Sequence, residues 1–308
     1  MTLARAITIT ESDLPADAAL ASEVLDGILP YSGKSRRVGI TGVPGAGKST
    51  FIDALGTHLL RERGEKVAVL SVDPSSPFSG GSILGDKTRM ERIAVHENAF
   101  IRPSPARGHL GGVARRTREA ILLCEAAGYE NVLVETVGVG QSETAVRSMT
   151  DFFLLLMISG AGDELQGIKR GIIEMIDGMA INKADGDNEA KAERTRAQYA
   201  EALRVGGWRP RVLTVSSITG KGIRELWDMI LEHRARLEST GLLAQRRRAQ
   251  ALDWMRELIA TGLDDTFRDD PGVSERLPQI EAAVQEGSIT PFAAAGELLS
   301  VFRKGSAS

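Results

Sequence analysis

The run Gly42-Val43-Pro44-Gly45-Ala46-Gly47-Lys48-Ser49-Thr50 sets two glycines, a lysine and a hydroxyl at the spacing G-x-x-x-x-G-K-[ST]. Each residue type has a task on phosphate. The glycines let backbone N–H groups turn inward, and a helix beginning at Lys48 adds the positive potential of its N-terminus. Lys48 is placed to meet the β- and γ-phosphates of a nucleotide and the Ser49 hydroxyl to ligate magnesium.

Three carboxylates are candidates to share that metal and to act on the attacking water. Asp73 ends the apolar run KVAVLSVD, Glu135 ends NVLVET, and Asp86 lies in the glycine-rich GGSILGDKTRM. Ligands of α/β sheets bind beyond the carboxyl ends of strands, which puts Asp73 and Glu135 beside Lys48 and Ser49. Glu135-Thr136-Val137-Gly138 resembles a second switch, with Gly138 able to offer its amide to the γ-phosphate. Lys48, Asp73, Asp86, Glu135 and Gly138 are thus the expected catalytic set, and Ser49, Asp73, Asp86 and Glu135 the expected metal set. Gln141 stands three residues after Gly138 and reads first as a helix N-terminal residue.

A second constellation, Asn182-Lys183-Ala184-Asp185, follows the run GMAI and matches N-K-x-D, a reader of guanine. A carboxylate at Asp185 accepts from the N1–H and exocyclic amine of guanine. Adenine presents an acceptor at N1, and the buried charge left unpaired would cost roughly 3 kcal/mol, about a hundredfold in affinity. Ser216-Ser217-Ile218 stands where a backbone amide would meet guanine O6. Mg·GTP is therefore the expected ligand.

These groups need a scaffold that brings distant strand ends together. RRVGITGV, KVAVLSVD, AFIRPSP, NVLVETV, DFFLLLMI, GMAINK and RVLTVSS read as strands, most of them apolar throughout, as strands buried on both faces are. Helical stretches with apolar residues at three- and four-residue intervals separate them. The expected fold is α/β, a mostly parallel P-loop NTPase sheet over 36–238. A helical extension over 1–35, with ASEVLDGIL its one convincing amphipathic piece, precedes it, and a helical region over 239–308 follows. With 308 residues, 42% hydrophobic and 26% charged, the chain has ample material for a core. No run of about 18 apolar residues suits a membrane span, and the N-terminus does not resemble a signal peptide, so a cytoplasmic protein is expected. A net charge of −3 gives no reason to expect nucleic acid. Arg246-Arg247-Arg248 reads as a solvated basic face, and Cys124 as a buried core residue.

VGITGVPGAGKST, VLSVDPSSPFSGGSILGDKTRM, FIRPSPARGHLGGVA, VETVGVGQSE, GAGDELQGIK and INKAD together resemble the MeaB/ArgK family of GTPases. The resemblance is close over about 36–238 and looser in the helical ends. It implies a SIMIBI-class GTPase, homodimeric through its C-terminal helices. Such a protein acts as a chaperone of adenosylcobalamin-dependent methylmalonyl-CoA mutase or a related acyl-CoA mutase, gating cofactor loading and protecting the mutase. It also implies a third switch over 159–169, with Asp163 and Lys169 its charged members. By themselves those residues read as a strand-to-helix loop capped by Asp163. Val43 and Pro44 stand where many dimeric relatives carry a lysine that reaches the partner's nucleotide, so activation by a lysine in trans is not expected. No D-x-H-x-x-G motif is present, and directly bound cobalamin is not expected. A nickel-insertion GTPase and an ATP-dependent kinase acting on a transport protein are the alternatives. The first lacks clustered ligands, since His58, His96, His109 and His233 fall on different elements. N-K-x-D argues against the second.

Overall fold

Long apolar, β-branched runs separated by amphipathic segments build one parallel sheet wrapped by helices. The computed structural model describes residues 2–12, 14–72, 90–103, 110–136, 142–160, 170–205 and 210–305. Its strands are β1 Arg36–Gly42, β2 Val67–Val72, β3 Ala99–Arg102, β4 Asn131–Thr136, β5 Phe152–Ile158, β6 Gly178–Asn182 and β7 Arg211–Thr214. They lie in the order β3-β2-β4-β1-β5-β6-β7, and every pairing is parallel. All carboxyl ends therefore share one edge. The chain leaves β1 toward β2 and β3, returns to β4, and then crosses to β5, so the winding reverses at β1. That is where an open α/β sheet forms its ligand crevice.

The helices described are α1 Leu3–Thr10, α2 Pro15–Ile28, α3 Lys48–Arg61, α4 Glu91–Ala94, α5 Leu110–Ala126, α6 Ser142–Arg147, α7 Arg170–Met175, α8 Glu189–Val205, α9 Ile223–Ser239, α10 Leu242–Asp269, α11 Pro271–Gln285 and α12 Pro291–Gly305. Contacts divide the chain into two compact units, 1–250 and 251–308. In the first, Val38, Ile40, Phe51, Leu55, Val69, Leu133, Phe153, Leu154, Ile181 and Trp227 are buried in one continuous core. Cys124 is a free thiol within it, and burial pushes its pKa up. In the second, Val273, Ile280, Ala294 and Leu298 pair α11 with α12, and Phe267 meets Phe302 edge-on at 5.5 Å.

Two sequence expectations are corrected. In the N-terminal extension it is α1 that buries Ala6, Ile7 and Thr10, while α2 packs only partially, through Val24 and Ile28. Leu3, Ala6, Ile7 and Thr10 recur at helical spacing and form its packed face. The arginine run is not a wholly solvated face either. Arg247 grips Asp151 through both oxygens at 2.9 and 2.6 Å and donates to the carbonyls of Gly33 and Ser35, while Arg246 donates to the Asp151 carbonyl at 2.6 Å. Arg248 alone is exposed.

Asp151 belongs to a network at the amino edge of the sheet. Arg37 pairs in a fork with Glu125 at 2.8 Å, and Glu125 also accepts from Ser35 Oγ and Gly33 N. Burial alone would raise both carboxyl pKa values. The hydrogen bonds and charge of Arg247 at Asp151, and of Arg37 at Glu125, outweigh it and hold both below the ordinary value. Groups depressed on folding contribute stability that is complete above the unfolded carboxylate pKa of about 4 and is lost as pH falls through the folded value. Asp151→Asn is expected to lower unfolding free energy at pH 7 by about 3 kcal/mol, because it strips charge from a buried pair. Its acid transition below pH 4 should be shallower than in the wild type. Urea unfolding across that range checks both, and a loss under about 0.5 kcal/mol would show the network to be incidental.

Candidate nucleotide site

At the carboxyl edge β1 ends in Gly42, where a Cβ would collide with the Leu156 carbonyl of β5. The chain then turns through Gly45 and Gly47, at φ 77° and 82°, before entering α3. That left-handed backbone favours glycine and lets the loop amides line a cradle at the helix N-terminus. Val43 and Ala46 are buried beneath the loop, while Pro44, Gly45 and Thr50 are exposed. Lys48 curls back to donate to the Gly42 carbonyl at 3.0 Å. Burial pushes its pKa down, while the carboxylates of Glu135 and Glu143 act in the opposite sense.

Register along the sheet sets Glu135 of β4 level with Ile40 of β1. Its carboxylate, nearly inaccessible to solvent, accepts from Ser49 Oγ at 3.2 Å. A hydroxyl and a carboxylate oxygen on facing elements are hard donors that suit magnesium. Among the described residues no three His, Cys, Asp or Glu side chains gather as a metal cluster. Asp73, Asp86, Gly138 and Gln141 lie outside the described residues, as do Asp163 and Lys169.

On the far side of β1, β6 ends in Asn182, opposite Ile158 of β5. The Asn182 amide is buried. It donates to the Ala46 carbonyl at 2.8 Å and accepts from Ser217 N and Oγ at 3.2 and 2.8 Å. A Cβ at Gly47 would lie 3.1 Å from the Asn182 amide nitrogen. Asn182 therefore ties the phosphate loop to the segment after β7. Lys183 follows at φ 60°, an uncommon conformation for a non-glycine residue, with its aliphatic chain beside Gly47. Neighbouring bonds hold that geometry. Ala184 N donates to the Val215 carbonyl at 3.0 Å, and Asn188 Nδ2 donates to the Lys183 carbonyl at 2.6 Å. Asp185 is half-buried and accepts from Ser216 Oγ at 2.5 Å, while Ile218 stands exposed beside them.

The structure thus brings Gly42–Thr50, Glu135, Asn182–Asp185 and Ser216–Ile218 to one edge. Such an arrangement offers loop amides and a lysine to a polyphosphate, two oxygen donors to a cation, and a carboxylate beside Ser216 to a base bearing donors. Sequence reasoning missed Asn188, whose Oδ1 accepts from Ser159 Oγ at 2.6 Å and so links the end of β5 to the turn after Asn182. It also missed the buried Glu143 near Lys48. The turn-forming run Gly186-Asp187-Asn188 was the available signal for the first.

A sequence model of the family described as methylmalonyl Co-A mutase-associated GTPase MeaB matches residues 3–271. The chain belongs to the MeaB family of GTPases. GTPase ArgK of Escherichia coli is 53% identical over 261 residues, 83% of this chain and 78% of that protein. The mitochondrial methylmalonic aciduria type A homolog of Mus musculus is 46% identical over 316 residues, 98% of this chain and 76% of its own length. A crystal structure named LAO/AO transport system kinase superposes with a TM-score of 0.74 at 40% identity, covering 98% of this chain and 92% of that one. This MeaB-family chain is a P-loop GTPase that converts GTP and water to GDP and phosphate.

In the expected phosphate site the Lys48 ammonium would exchange the Gly42 carbonyl for phosphate oxygens, with charge-assisted bonds of about 1.5–3 kcal/mol each. Lys48→Ala is expected to weaken GTP binding by tenfold or more on that basis, leaving the unfolding transition intact. Calorimetric titration with GTP and magnesium checks it. Wild-type affinity in the folded variant would contradict the phosphate assignment.

Proposed function

We propose that this GTPase is a chaperone of adenosylcobalamin-dependent methylmalonyl-CoA mutase or a related acyl-CoA mutase, coupling GTP hydrolysis to cofactor loading and protection of the mutase. The observation that carries the reading is the match of 3–271 to a family described by its association with that mutase. The likeness to a methylmalonic aciduria type A homolog over nearly the whole chain supports it. Cobalamin itself belongs to the mutase in this reading. The proposed setting is the cytoplasm; no described helix is long and apolar enough to cross a membrane.

In the proposed mechanism Lys48 and the amides of 42–50 hold the phosphates, and Asp185, with the loop 216–218, holds guanine. Ser49 and Glu135 would hold magnesium together with Asp73 and Asp86, and the ion supplies charge neutralisation on the phosphates. Gly138 would offer its amide to the γ-phosphate. Glutamine does not directly follow Gly138 and the phosphate loop has no extra lysine, so the sequence offers neither a water-orienting glutamine at that position nor a second lysine for the developing charge. Slow intrinsic turnover that rises on binding the mutase is the expected consequence. Steady-state phosphate release with and without purified mutase tests it. Turnover by the pure protein near 1 per second or faster, unchanged by mutase, would contradict partner control.

We also assign the helices of 239–308 to dimerisation. Leu252, Met255, Ile259 and Leu263 on α10 are exposed at three- and four-residue intervals, with Trp254 half-buried beside them. A self-complementary helical stripe of this kind closes with twofold symmetry, and methionine and tryptophan suit interface cores. Met255→Asp combined with Ile259→Asp is expected to turn a dimer into a folded monomer by light scattering at micromolar concentration. A double variant that keeps the wild-type mass would sink the assignment.

A further inference from the structure

Among the described residues, Lys183 is the only one besides glycines with a positive φ, 60°. A side chain in that conformation is strained, and the strain persists only where the surroundings over-determine it. Three groups do so. Asn182 before it is buried and tied to the Ala46 carbonyl and to Ser217, and Ala184 after it donates to the Val215 carbonyl. The third is Asn188, whose Nδ2 donates to the Lys183 carbonyl at 2.6 Å. Gly186, left-handed at φ 51°, turns the chain back toward it, and Asn188 N closes the turn on the Asp185 carbonyl at 3.1 Å.

The Asn188 side chain faces two ways. Its Oδ1 accepts from Ser159 Oγ at 2.6 Å, just beyond the end of β5. A carbonyl only accepts, so Lys183 fixes which end of the amide faces it, and the Ser159 hydroxyl donates to the other. Lys191, three residues further on, lies against Gly160, where an added Cβ would stand 2.8 Å from its Nζ. Because β5 is paired with β1 on one side and β6 on the other, both contacts fasten the turn to the middle of the sheet. From that turn the Lys183 side chain runs to the phosphate loop, its Cε 4.0 Å from the place a Cβ of Gly47 would take.

We propose that Asn188 is a positioning residue for guanine-nucleotide binding, holding the Lys183 backbone in its left-handed turn from the end of β5 and so setting the lysine between base turn and phosphate loop. The inference rests on the reading of Asn182–Asp185 as the base site. Without the Asn188 bond the left-handed turn loses one of its restraints, and Lys183 relaxes toward ordinary backbone, taking its side chain off Gly47. Contacts of the base turn hold substrate and transition state alike, so their loss raises KM and leaves kcat unchanged. A bond that merely stabilised the start of α8 would change the melting temperature without that split.

The test compares the full-length wild type with Asn188→Asp, Asn188→Ala, Ser159→Ala, Lys183→Ala, the double variant Lys183→Ala/Asn188→Asp, and Leu203→Ala as a buried-core variant of α8. Measured are KM and kcat for GTP, affinity for a fluorescent GDP, and the melting temperature. Asn188→Asp keeps an acceptor for Ser159 but sets an oxygen where the donor to Lys183 stood. It is expected to raise KM and weaken GDP binding on the order of tenfold, with kcat within about twofold. Asn188→Ala should act in the same direction, and it decides the matter by the same criteria if Asn188→Asp does not fold. Ser159→Ala should do so by less, because the donor to Lys183 remains. When Lys183 is already alanine, Asn188→Asp should cost no more than about twofold further, since it acts through that side chain. Wild-type KM and GDP affinity in both Asn188 variants, with Lys183→Ala impaired, would overturn this inference alone. The same holds if their losses match those of Leu203→Ala at equal melting temperature, or if the Asn188→Asp effect persists in full without the lysine. Wild-type behaviour of Lys183→Ala would overturn the base-site reading on which it rests.

Discussion

The nucleotide edge depends on one buried side-chain amide. Asn182 holds the Ala46 carbonyl of the phosphate loop with its nitrogen and Ser217 with its oxygen, so loops leaving β1, β6 and β7 are fastened at a single point. Losing either partner would leave a buried polar group unsatisfied, at a cost of about 1–3 kcal/mol. The parallel sheet makes the junction possible, because only a common strand direction brings these ends together. Asn182 thus braces the edge on which N-K-x-D lies, beside whatever part it takes in the expected guanine motif. The left-handed Lys183 is the local strain that this bracing sustains.

The opposite edge is organised by charge. Asp151, Glu125 and Asp177 sit where the amino ends of strands meet α5, α9 and the start of α10, and arginines from four elements converge on them. Buried ion pairs of this kind add little net stability over apolar packing, but they penalise any arrangement that leaves a partner alone. They therefore tie the first turns of α10 to the sheet, where the Gln250 side chain also donates to the Thr150 carbonyl at 3.0 Å.

Much of this was legible in the residues. Apolar, β-branched runs identified the strands, most plainly the central ones, which are covered on both faces, and less so the edge strands β3 and β7. G-x-x-x-x-G-K-[ST] anticipated the strand–loop–helix junction between β1 and α3, and N-K-x-D the turn that follows β6. What stayed hidden was set by tertiary contacts. That α1 rather than ASEVLDGIL carries the buried face of the extension shows only in the packing of Ala6 and Ile7. No capping residue announces α4, because Asp53 from another helix performs that task. The arginine run was misread for the same reason: its partners Asp151, Gly33 and Ser35 are remote in sequence.

The central claim is the proposal that Asp185 and the loop after β7 recognise guanine through donor and acceptor pattern. It is tested most directly by competition of GTP, xanthosine triphosphate and ATP against a fluorescent guanine nucleotide on the wild type and Asp185→Asn. A carboxylate accepts from both the N1–H and the exocyclic amine of guanine, whereas an amide accepts from N1–H and donates to the second carbonyl of xanthine. The account predicts a wild type that prefers GTP over both competitors by about a hundredfold, and a variant whose preference passes to xanthosine triphosphate. A variant that still prefers GTP by the wild-type margin would contradict it.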